Sequence, residues 1–245
     1  NRCGSIVYSI GSDHHQIAAL ASPCPLTYIG FAPMTPVMTY PILIIGASRG
    51  LGAALALKLA QKFHIIAVAK TTGGLEELDD RIKAIGGQAT LAPTDVTDFN
   101  AVRHLCRSIH DRWGGLHLWA HCAIHAAPLS PANFIAARDW EKSVKLNITT
   151  TGMLIPNIAP LLGDTGTAVF FDDPCAGHKF FGSYGATKAA QISLAQSWQA
   201  ETKNTGPNVK IITPAPMPTA TRVRFYPGEN REVLTSCESE AERII

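Results

Sequence analysis

Tyr184 and Lys188 are the residues whose types and spacing most directly suggest chemistry in this sequence. Residues four positions apart share one face of a helix, so the lysine ammonium can lie near the tyrosine hydroxyl. A positive charge there lowers the pKa of the phenol from about 10 towards neutral pH. A tyrosine tuned in this way can give or take a proton during a reaction. The alternative, an exposed pair with no catalytic role, is disfavoured by its place after a predicted fifth strand.

A second group of residues has the spacing of a phosphate-binding turn. The segment 46–52, Gly-Ala-Ser-Arg-Gly-Leu-Gly, lies where a predicted strand passes into a predicted helix. Glycine lets the backbone turn tightly and approach a pyrophosphate closely, and the first N–H groups of the helix then face the phosphates. A tight turn without a ligand is the alternative. The predicted cofactor contacts in this turn are Gly46, Ser48, Arg49, Gly50, Leu51 and Gly52.

Arg49 and Lys70 carry the positive charges expected to choose between two dinucleotides. A site for NAD(H) usually has a carboxylate at the end of the second strand, whereas the 2′-phosphate of NADP(H) requires basic groups. The second predicted strand ends at Lys70 with no acid, and Arg49 lies in the glycine turn. Two cations can hold a phosphate from two sides, so we predict NADP(H), with NAD(H) as the alternative. Asp95 and Val96, after the third predicted strand, are placed to contact the adenine ring.

The elements that must position these residues alternate between short apolar strands and helices. The predicted strands are residues 42–45, 64–69, 89–92, 116–122, 167–171 and 209–213. The predicted helices are residues 51–62, 75–85, 98–113, 139–162, 183–203 and 238–245, the fourth bent near Pro156. Apolar strands alternating with helices indicate a parallel sheet covered on both faces. Right-handed crossovers then predict an α/β fold, a Rossmann-like doubly wound sheet in three α/β/α layers with strand order 3-2-1-4-5-6. After the helix at 238–245 no further strand is predicted.

The composition of the 245-residue chain excludes several classes of protein. Hydrophobic residues make up 46% and charged residues 16%, so the chain can bury a core and is not of the disordered class. A formal net charge of +2 is too balanced to indicate a nucleic-acid or membrane partner. Six scattered cysteines without a Cys-x-x-Cys pair indicate reduced thiols. With no long apolar run and no signal-peptide pattern, we expect a cytoplasmic protein.

Residues 1–40 differ in composition from the rest of the chain. Five prolines fall within residues 23–41, where they oppose a continuous helix or a central strand. We predict that residues 1–40 are a proline-rich extension and that residues 41–245 form the dinucleotide-binding domain. The extension is either packed on that domain or loosely attached to it.

Together these residues resemble the short-chain dehydrogenase/reductase family over roughly residues 40–245. The resemblance rests on the order in which the motifs recur, which is more specific than any one of them. The motifs are the glycines 46, 50 and 52, Asp95, Asn147 and the segment Tyr184-Gly-Ala-Thr-Lys188. The segments 73–78 and 225–229 are similar to those of uncharacterised bacterial members.

The resemblance implies roles that the residues alone do not. Tyr184 would be the general acid/base, and Lys188 would also bind the ribose hydroxyls of the nicotinamide. Asn147 would hold a water of the proton relay, and Thr219 would contact the nicotinamide carboxamide. Members commonly form dimers or tetramers through the helices that carry Asn147 and Tyr184. Ala189, Ala190 and Ala195 would permit close approach of those helices.

Two segments depart from the family pattern. The usual Asn-Asn-Ala-Gly after strand 4 reads His-Cys-Ala-Ile at residues 121–124, which changes the wall of the cofactor pocket. The serine expected before the tyrosine is absent, and Asp172 and Asp173 stand in that region. An ionised aspartate can only accept a hydrogen bond, so only a protonated one would imitate the serine. Ser183 is no substitute, because neighbouring helical residues point about 100° apart.

His121 and His125 are four residues apart with a cysteine between them, which loosely suggests metal ligands. Nothing else in the sequence completes a set, so we predict structural histidines and no metal site.

The leading hypothesis is an NADP(H)-dependent oxidoreductase that interconverts a small-molecule carbonyl and a secondary alcohol. Residues near 215–230, including Phe225 and Tyr226, would shape the substrate site. The alternative is a cofactor-binding or structural protein that has kept the fold and lost efficient catalysis. A regulator that senses a cofactor is a third hypothesis.

Overall fold

The computed structural model describes residues 40–245. Apart from Tyr40, the predicted extension lies outside this range, and its role stays a prediction.

A single parallel sheet runs through the centre of the described residues. Its order is β3-β2-β1-β4-β5-β6, and each neighbouring pair is parallel. The predicted fold class and strand order are confirmed. The six strands are β1 (Ile42–Ile45), β2 (Ile65–Ala69), β3 (Ala89–Pro93), β4 (Leu118–His121), β5 (Thr167–Phe171) and β6 (Asn208–Ile212). Strands β1 and β2 are buried at every position, as an inner parallel strand with helices on both faces requires.

Eight α-helices connect or follow the strands in the described part of the chain. They are α1 (Gly50–Leu59), α2 (Gly73–Ala84), α3 (Phe99–Trp113), α4 (Ala137–Ser143), α5 (Thr150–Leu162), α6 (Gly182–Glu201), α7 (Ala220–Phe225) and α8 (Cys237–Ile244). Asp98 caps α3 as expected, because its side chain accepts from the N–H groups of Asn100 and Ala101. None of these helices is long and apolar enough to cross a membrane.

The region predicted as one long helix, residues 139–162, is interrupted in the structure. Helix α4 passes into α5 through a π-helical segment, Val144–Thr149, where Thr150 donates its N–H to Lys145 O. Pro156 lies inside α5, so the departure from α-helical geometry is earlier than the predicted bend at that proline. Single π-turns of this kind occur frequently at functional sites.

Two hydrophobic clusters cover the two faces of the sheet. One is centred on Trp119 and Phe170 with Trp198 of α6, and the other on the small residues of α1. Ala195 belongs to the first cluster and is fully buried within the chain. The prediction that Ala195 lets two copies approach closely is therefore wrong, because its methyl group already packs on its own core.

Candidate active site and cofactor site

The turn between β1 and α1 leaves no room for side chains at two of its glycines. Gly46 has φ +90°, and a Cβ atom there would lie 2.6 Å from the Ala123 nitrogen, just after β4. A Cβ atom on Gly52 would lie 2.3 Å from Gly46 O. The turn therefore packs against itself and against the end of β4, which brings bare backbone to the carboxyl edge of the sheet.

Helix α1 presents its N-terminus at this turn. Arg49 is the N-cap residue, its side chain makes no capping hydrogen bond, and no acidic residue lies in the first turn. The exposed N–H groups and the positive end of the helix dipole suit an anion. The residues present therefore fit a pyrophosphate group, which needs close backbone and unpaired N–H donors.

Lys70 and Asp95 form an ion pair that the sequence did not predict. Lys70 Nζ donates to Asp95 Oδ2 at 2.7 Å, and Asp95 Oδ1 accepts from both the N–H and the hydroxyl of Thr97. The hydrogen bond from Lys70 lowers the pKa of Asp95 to about 2. Arg49 is exposed and has no ion pair among residues 40–245. Arg49 is thus the more available of the two predicted phosphate-binding cations.

The other predicted cofactor residues lie around the same edge. Ser48 packs beside Gly74 at the start of α2, and the side chain of Val96 is part of the hydrophobic core. Leu51 is half-buried against the cluster on the other face of the sheet. Because the side chains of Val96 and Leu51 face the core, the two residues can approach a cofactor chiefly through their backbone.

Thr219 brings the region after β6 to the glycine turn. Its hydroxyl accepts from the Arg222 N–H at 3.2 Å and so caps α7. A Cβ atom on Gly50 would be 3.5 Å from Thr219 Cγ2, which places the start of α7 beside the start of α1. The fold therefore assembles residues 46–52 and 219 at one site.

Tyr184 lies on the buried face of α6 and is only 5% exposed. Its hydroxyl donates to Asp173 Oδ2 at 2.9 Å. Burial, and after it the Asp173 carboxylate, raises the pKa of Tyr184 well above its ordinary value. The predicted lowering of this pKa is therefore wrong for the geometry observed here, because desolvation and an acidic neighbour both favour the neutral phenol.

Lys188 is buried one turn further along α6. Its Nζ donates to Gln191 Oε1 at 2.8 Å. Burial lowers the pKa of Lys188 to about 8, against the opposite effect of Asp172 and Asp173. The spacing prediction had missed Gln191, although a position three residues after Lys188 shares its helix face.

Asn147 lies in the π-helical segment and is fully buried. Its Oδ1 accepts from the His125 N–H at 2.7 Å, while its Nδ2 donates to His125 O and to Thr187 Oγ1. The side chain thus joins the segment after β4 to α6. Its backbone oxygen accepts from Gln191 Nε2 at 3.3 Å. Asn147, Tyr184 and Lys188 are therefore brought together, with Gln191 linking two of them.

The segment 121–124 is accommodated by packing. Ile124, at the position of the usual glycine, joins an apolar cluster with Ala126, Phe181, Tyr184 and Phe225. The rings of Tyr184 and Phe225 are 4.9 Å apart, so α7 covers the tyrosine.

The side chain of His121 has a structural contact. His121 is buried with Nε2 3.2 Å from Thr151 Oγ1, and burial lowers its pKa to about 3. Among residues 40–245, no group of three or more His, Cys, Asp or Glu side chains is arranged to hold a metal ion.

The Ser183 side chain does not contact the Tyr184 hydroxyl but bonds to another helix. Its hydroxyl donates to Ser143 Oγ at 3.1 Å, and both residues are buried.

Comparisons with known proteins identify the family of this chain. The family model described as short chain dehydrogenase matches residues 41–230. An uncharacterized oxidoreductase of Listeria monocytogenes, Lmo0432, is 29% identical over 80% of this chain and 81% of its own length. The ketoacyl reductase HetN of a Nostoc species is 26% identical over 74% of this chain and 64% of its own.

A solved structure is similar at the level of the whole fold. It comes from Pseudomonas syringae and was assigned to the short chain dehydrogenases. It superposes with a TM-score of 0.76 at 26% identity, covering 81% of this chain and 84% of its own. Because the family model spans most of the described residues and the sheet order agrees, this chain belongs to the short chain dehydrogenase family of oxidoreductases.

Proposed function

We propose that this protein is an NADP(H)-dependent oxidoreductase that interconverts a carbonyl and a secondary alcohol. The observation that carries the proposal is the placement of Tyr184 and Lys188, buried on one face of α6, at the same sheet edge as the glycine turn. Ligands of doubly wound sheets bind at this carboxyl edge.

Separate groups of residues would bind the cofactor and transfer the proton. The turn at 46–52 would hold the pyrophosphate, with Asp95 and Val96 near the adenine and Lys188 and Thr219 near the nicotinamide. When bound, the reduced cofactor supplies a hydride to the carbonyl carbon. Tyr184 gives its hydroxyl proton to the carbonyl oxygen, and the reverse direction returns that proton to the tyrosine. Asn147 positions α6 against the segment after β4 through its side-chain amide.

The exposed guanidinium of Arg49 supports NADP(H) over NAD(H). We expect Arg49→Asp to weaken NADPH binding more than tenfold and to leave NADH binding within about twofold, because only the 2′-phosphate needs the cation. Fluorescence titration of both nucleotides with wild-type protein and this variant measures the difference. Tighter NADH than NADPH binding by the wild type would contradict the preference.

The apolar cluster around Tyr184 supports a substrate with an apolar group beside its carbonyl. Phe181, Phe225 and Ile124 surround the tyrosine ring. The name of the Nostoc relative points the same way, since a ketoacyl group combines a ketone with an acyl chain. A carbonyl panel that runs from small polar ketones to long-chain ones, assayed with NADPH and compared with Tyr184→Phe, tests both the reaction and the substrate class.

The hydrogen bond from Tyr184 to Asp173 favours a second candidate, a cofactor-binding protein without efficient catalysis. A carboxylate at that position holds the proton that the carbonyl oxygen would need. Tight NADPH binding with no turnover that depends on Tyr184 would establish this alternative. Failure to bind either nucleotide would exclude both candidates.

We also propose that two copies pair through the outer face of α5 and α6. Ala189 is exposed there, and a Cβ atom on Gly152 would lie 3.7 Å from Leu194, which is also exposed. Small residues permit close helix approach. Leu194→Glu is expected to convert a dimer or tetramer to a smaller species in light scattering, and a wild-type monomer would contradict the pairing.

A further inference from the structure

The lysine end of the site is closed by a side-chain amide. Lys188 Nζ donates to Gln191 Oε1 at 2.8 Å, and Gln191 Nε2 donates to Asn147 O at 3.3 Å and to Thr151 Oγ1 at 3.0 Å. Gln191 is 2% exposed. It therefore occupies the link between Lys188 and the Asn147 carbonyl in which a relay water was expected.

A carboxamide cannot replace a water as a carrier of protons. Its nitrogen donates two hydrogen bonds and its oxygen accepts, but neither atom gains or loses a proton near neutral pH. Both N–H groups of Gln191 and an oxygen lone pair are already used by Asn147, Thr151 and Lys188. The route from Lys188 towards Asn147 thus holds Lys188 in place without supplying protons to Tyr184.

The hydroxyl of Tyr184 contacts an acidic side chain, Asp173. Asp173 Oδ2 accepts the Tyr184 hydroxyl at 2.9 Å, and Asp173 is half-buried, so it can exchange protons with water. Its position is held by two further bonds, because its N–H donates to Asp172 Oδ1 at 2.8 Å and its carbonyl accepts from the Cys175 N–H at 2.7 Å.

We propose that Asp173 is a catalytic residue that exchanges the Tyr184 proton with solvent, in place of both the missing serine and the water relay. This inference rests on the proposed oxidoreductase function. It assigns to an aspartate a role that neither the glycine turn nor the tyrosine and lysine spacing indicates.

The proton and electron balance defines the step. In carbonyl reduction, hydride from the reduced cofactor bonds to the carbonyl carbon, and the carbonyl π electrons take the Tyr184 hydroxyl proton on oxygen. The electron pair of the broken O–H bond stays on Tyr184, and protonated Asp173 returns a proton to it. Asp173 is then a carboxylate, which takes a proton from solvent. Alcohol oxidation runs the same steps in reverse and requires the carboxylate.

Both acidic and basic side chains surround Tyr184 and Asp173. Asp172 and Cys175, in the loop between β5 and α6, lie near Tyr184. Arg222 of α7 faces Asp173, and Lys188 faces both acids. Arg222 is itself held by Glu229, with Nε 2.7 Å from Oε2. Cys122 and His121, at the end of β4, face Lys188.

A side chain at position 173 that cannot carry a proton should therefore slow carbonyl reduction. Asp173→Asn keeps the shape of the side chain but cannot ionise. Asp172→Asn is the matched control, because its oxygen still accepts the Asp173 N–H while one neighbouring charge is removed. Asp173→Ser restores the residue type that the family pattern has near this position.

The first measurement needs no substrate. Ultraviolet absorbance of tyrosinate is followed against pH, with Tyr184→Phe subtracted to isolate Tyr184 from the other four of the five tyrosines. We expect Tyr184 to ionise at a pH at least about one unit lower in Asp173→Asn than in wild type. Asp172→Asn should change that midpoint less. An unchanged midpoint in Asp173→Asn would overturn the coupling between the two residues. Circular dichroism and NADPH affinity confirm that each variant is folded.

The second measurement is the pH profile of Tyr184-dependent carbonyl reduction. We expect the pH profile of kcat/KM to keep its wild-type shape in Asp172→Asn. In Asp173→Asn the profile should change shape, and kcat/KM should fall about 10- to 100-fold. Turnover by Asp173→Asn with the wild-type profile would overturn the relay while leaving the oxidoreductase function intact. A wild-type protein with no Tyr184-dependent turnover would overturn the proposed function and the relay with it.

Discussion

Glu240 of α8 accepts a hydrogen bond from the backbone N–H of Ala215 at 3.0 Å. Glu240 is buried, and Arg243 donates to both of its carboxylate oxygens. The loop that leads from β6 to Thr219 is thus attached to the last helix. This loop leads to Thr219 at one end of the proposed cofactor site, so α8 holds that end of the site in place.

Glu240→Ala should remove this attachment. We expect the free energy of unfolding to fall by about 1–3 kcal/mol, because a partly buried backbone N–H and a guanidinium lose their acceptor. NADPH affinity should fall as well, since the Thr219 end of the site is no longer held. Urea unfolding and nucleotide titration measure the two effects. The control is Glu238→Ala on the same helix, because the Glu238 pair with Arg81 is exposed and 3.7 Å long. Equal losses in the two variants would contradict the assignment.

Gly52→Ala should disable the cofactor turn. A methyl group there would lie 2.3 Å from Gly46 O, an impossible contact, so the turn must open. We expect a loss of about 1–3 kcal/mol in stability and no measurable NADPH binding. In Gly73→Ala, a methyl group at the start of α2 meets no atom within 4 Å in the described part of the chain. That control should bind NADPH normally and be as stable as wild type, or slightly more so.

Lys188 should make the stability of the protein depend on alkaline pH. Burial lowers the pKa of Lys188 from 10.5 to about 8, so holding the charged form in the folded protein is unfavourable below pH 8. As pH rises from 8 to 10.5, the unfolded chain binds more protons than the folded one, and the folded protein becomes relatively more stable. Lys188→Met should remove this gain, up to about 3 kcal/mol, and should abolish turnover. Parallel pH curves for the two proteins in urea unfolding would contradict the prediction.

Asp95 should make the stability of the folded protein depend on pH in the acid range. Its pKa is lowered from 3.8 to about 2 by Lys70, so the pair stabilises the fold above pH 3.8 and loses this effect as pH falls towards 2. Because Lys70 is exposed and Asp95 is partly exposed, we expect this contribution to be less than about 1 kcal/mol and to fall further with added salt. Unfolding of wild type and Asp95→Asn between pH 2 and 6 at two salt concentrations measures the difference. A salt-independent difference would contradict a surface ion pair.

The sequence by itself determined the strands, their order and the glycine turn. These depend on local patterns, such as the run 42–45 followed at once by Gly46, and on the handedness of crossovers, which hardly varies. The pairing of Tyr184 with Lys188 on one helix face followed from their spacing, and Asn147 followed from the family resemblance. Helix α7 was missed because six residues give too little periodicity.

The contacts that define the chemistry of the site were decided only by the tertiary structure. Tyr184 meets Asp173 across 11 positions, Lys70 meets Asp95 across 25, and Gln191 meets the Asn147 backbone across 44. No local pattern reports such pairs, since they depend on how helices and loops pack at the edge of the sheet. Burial is also a property of the whole fold. It raises the pKa of Tyr184 and lowers that of Lys188, reversing the effect that spacing alone predicted for the tyrosine.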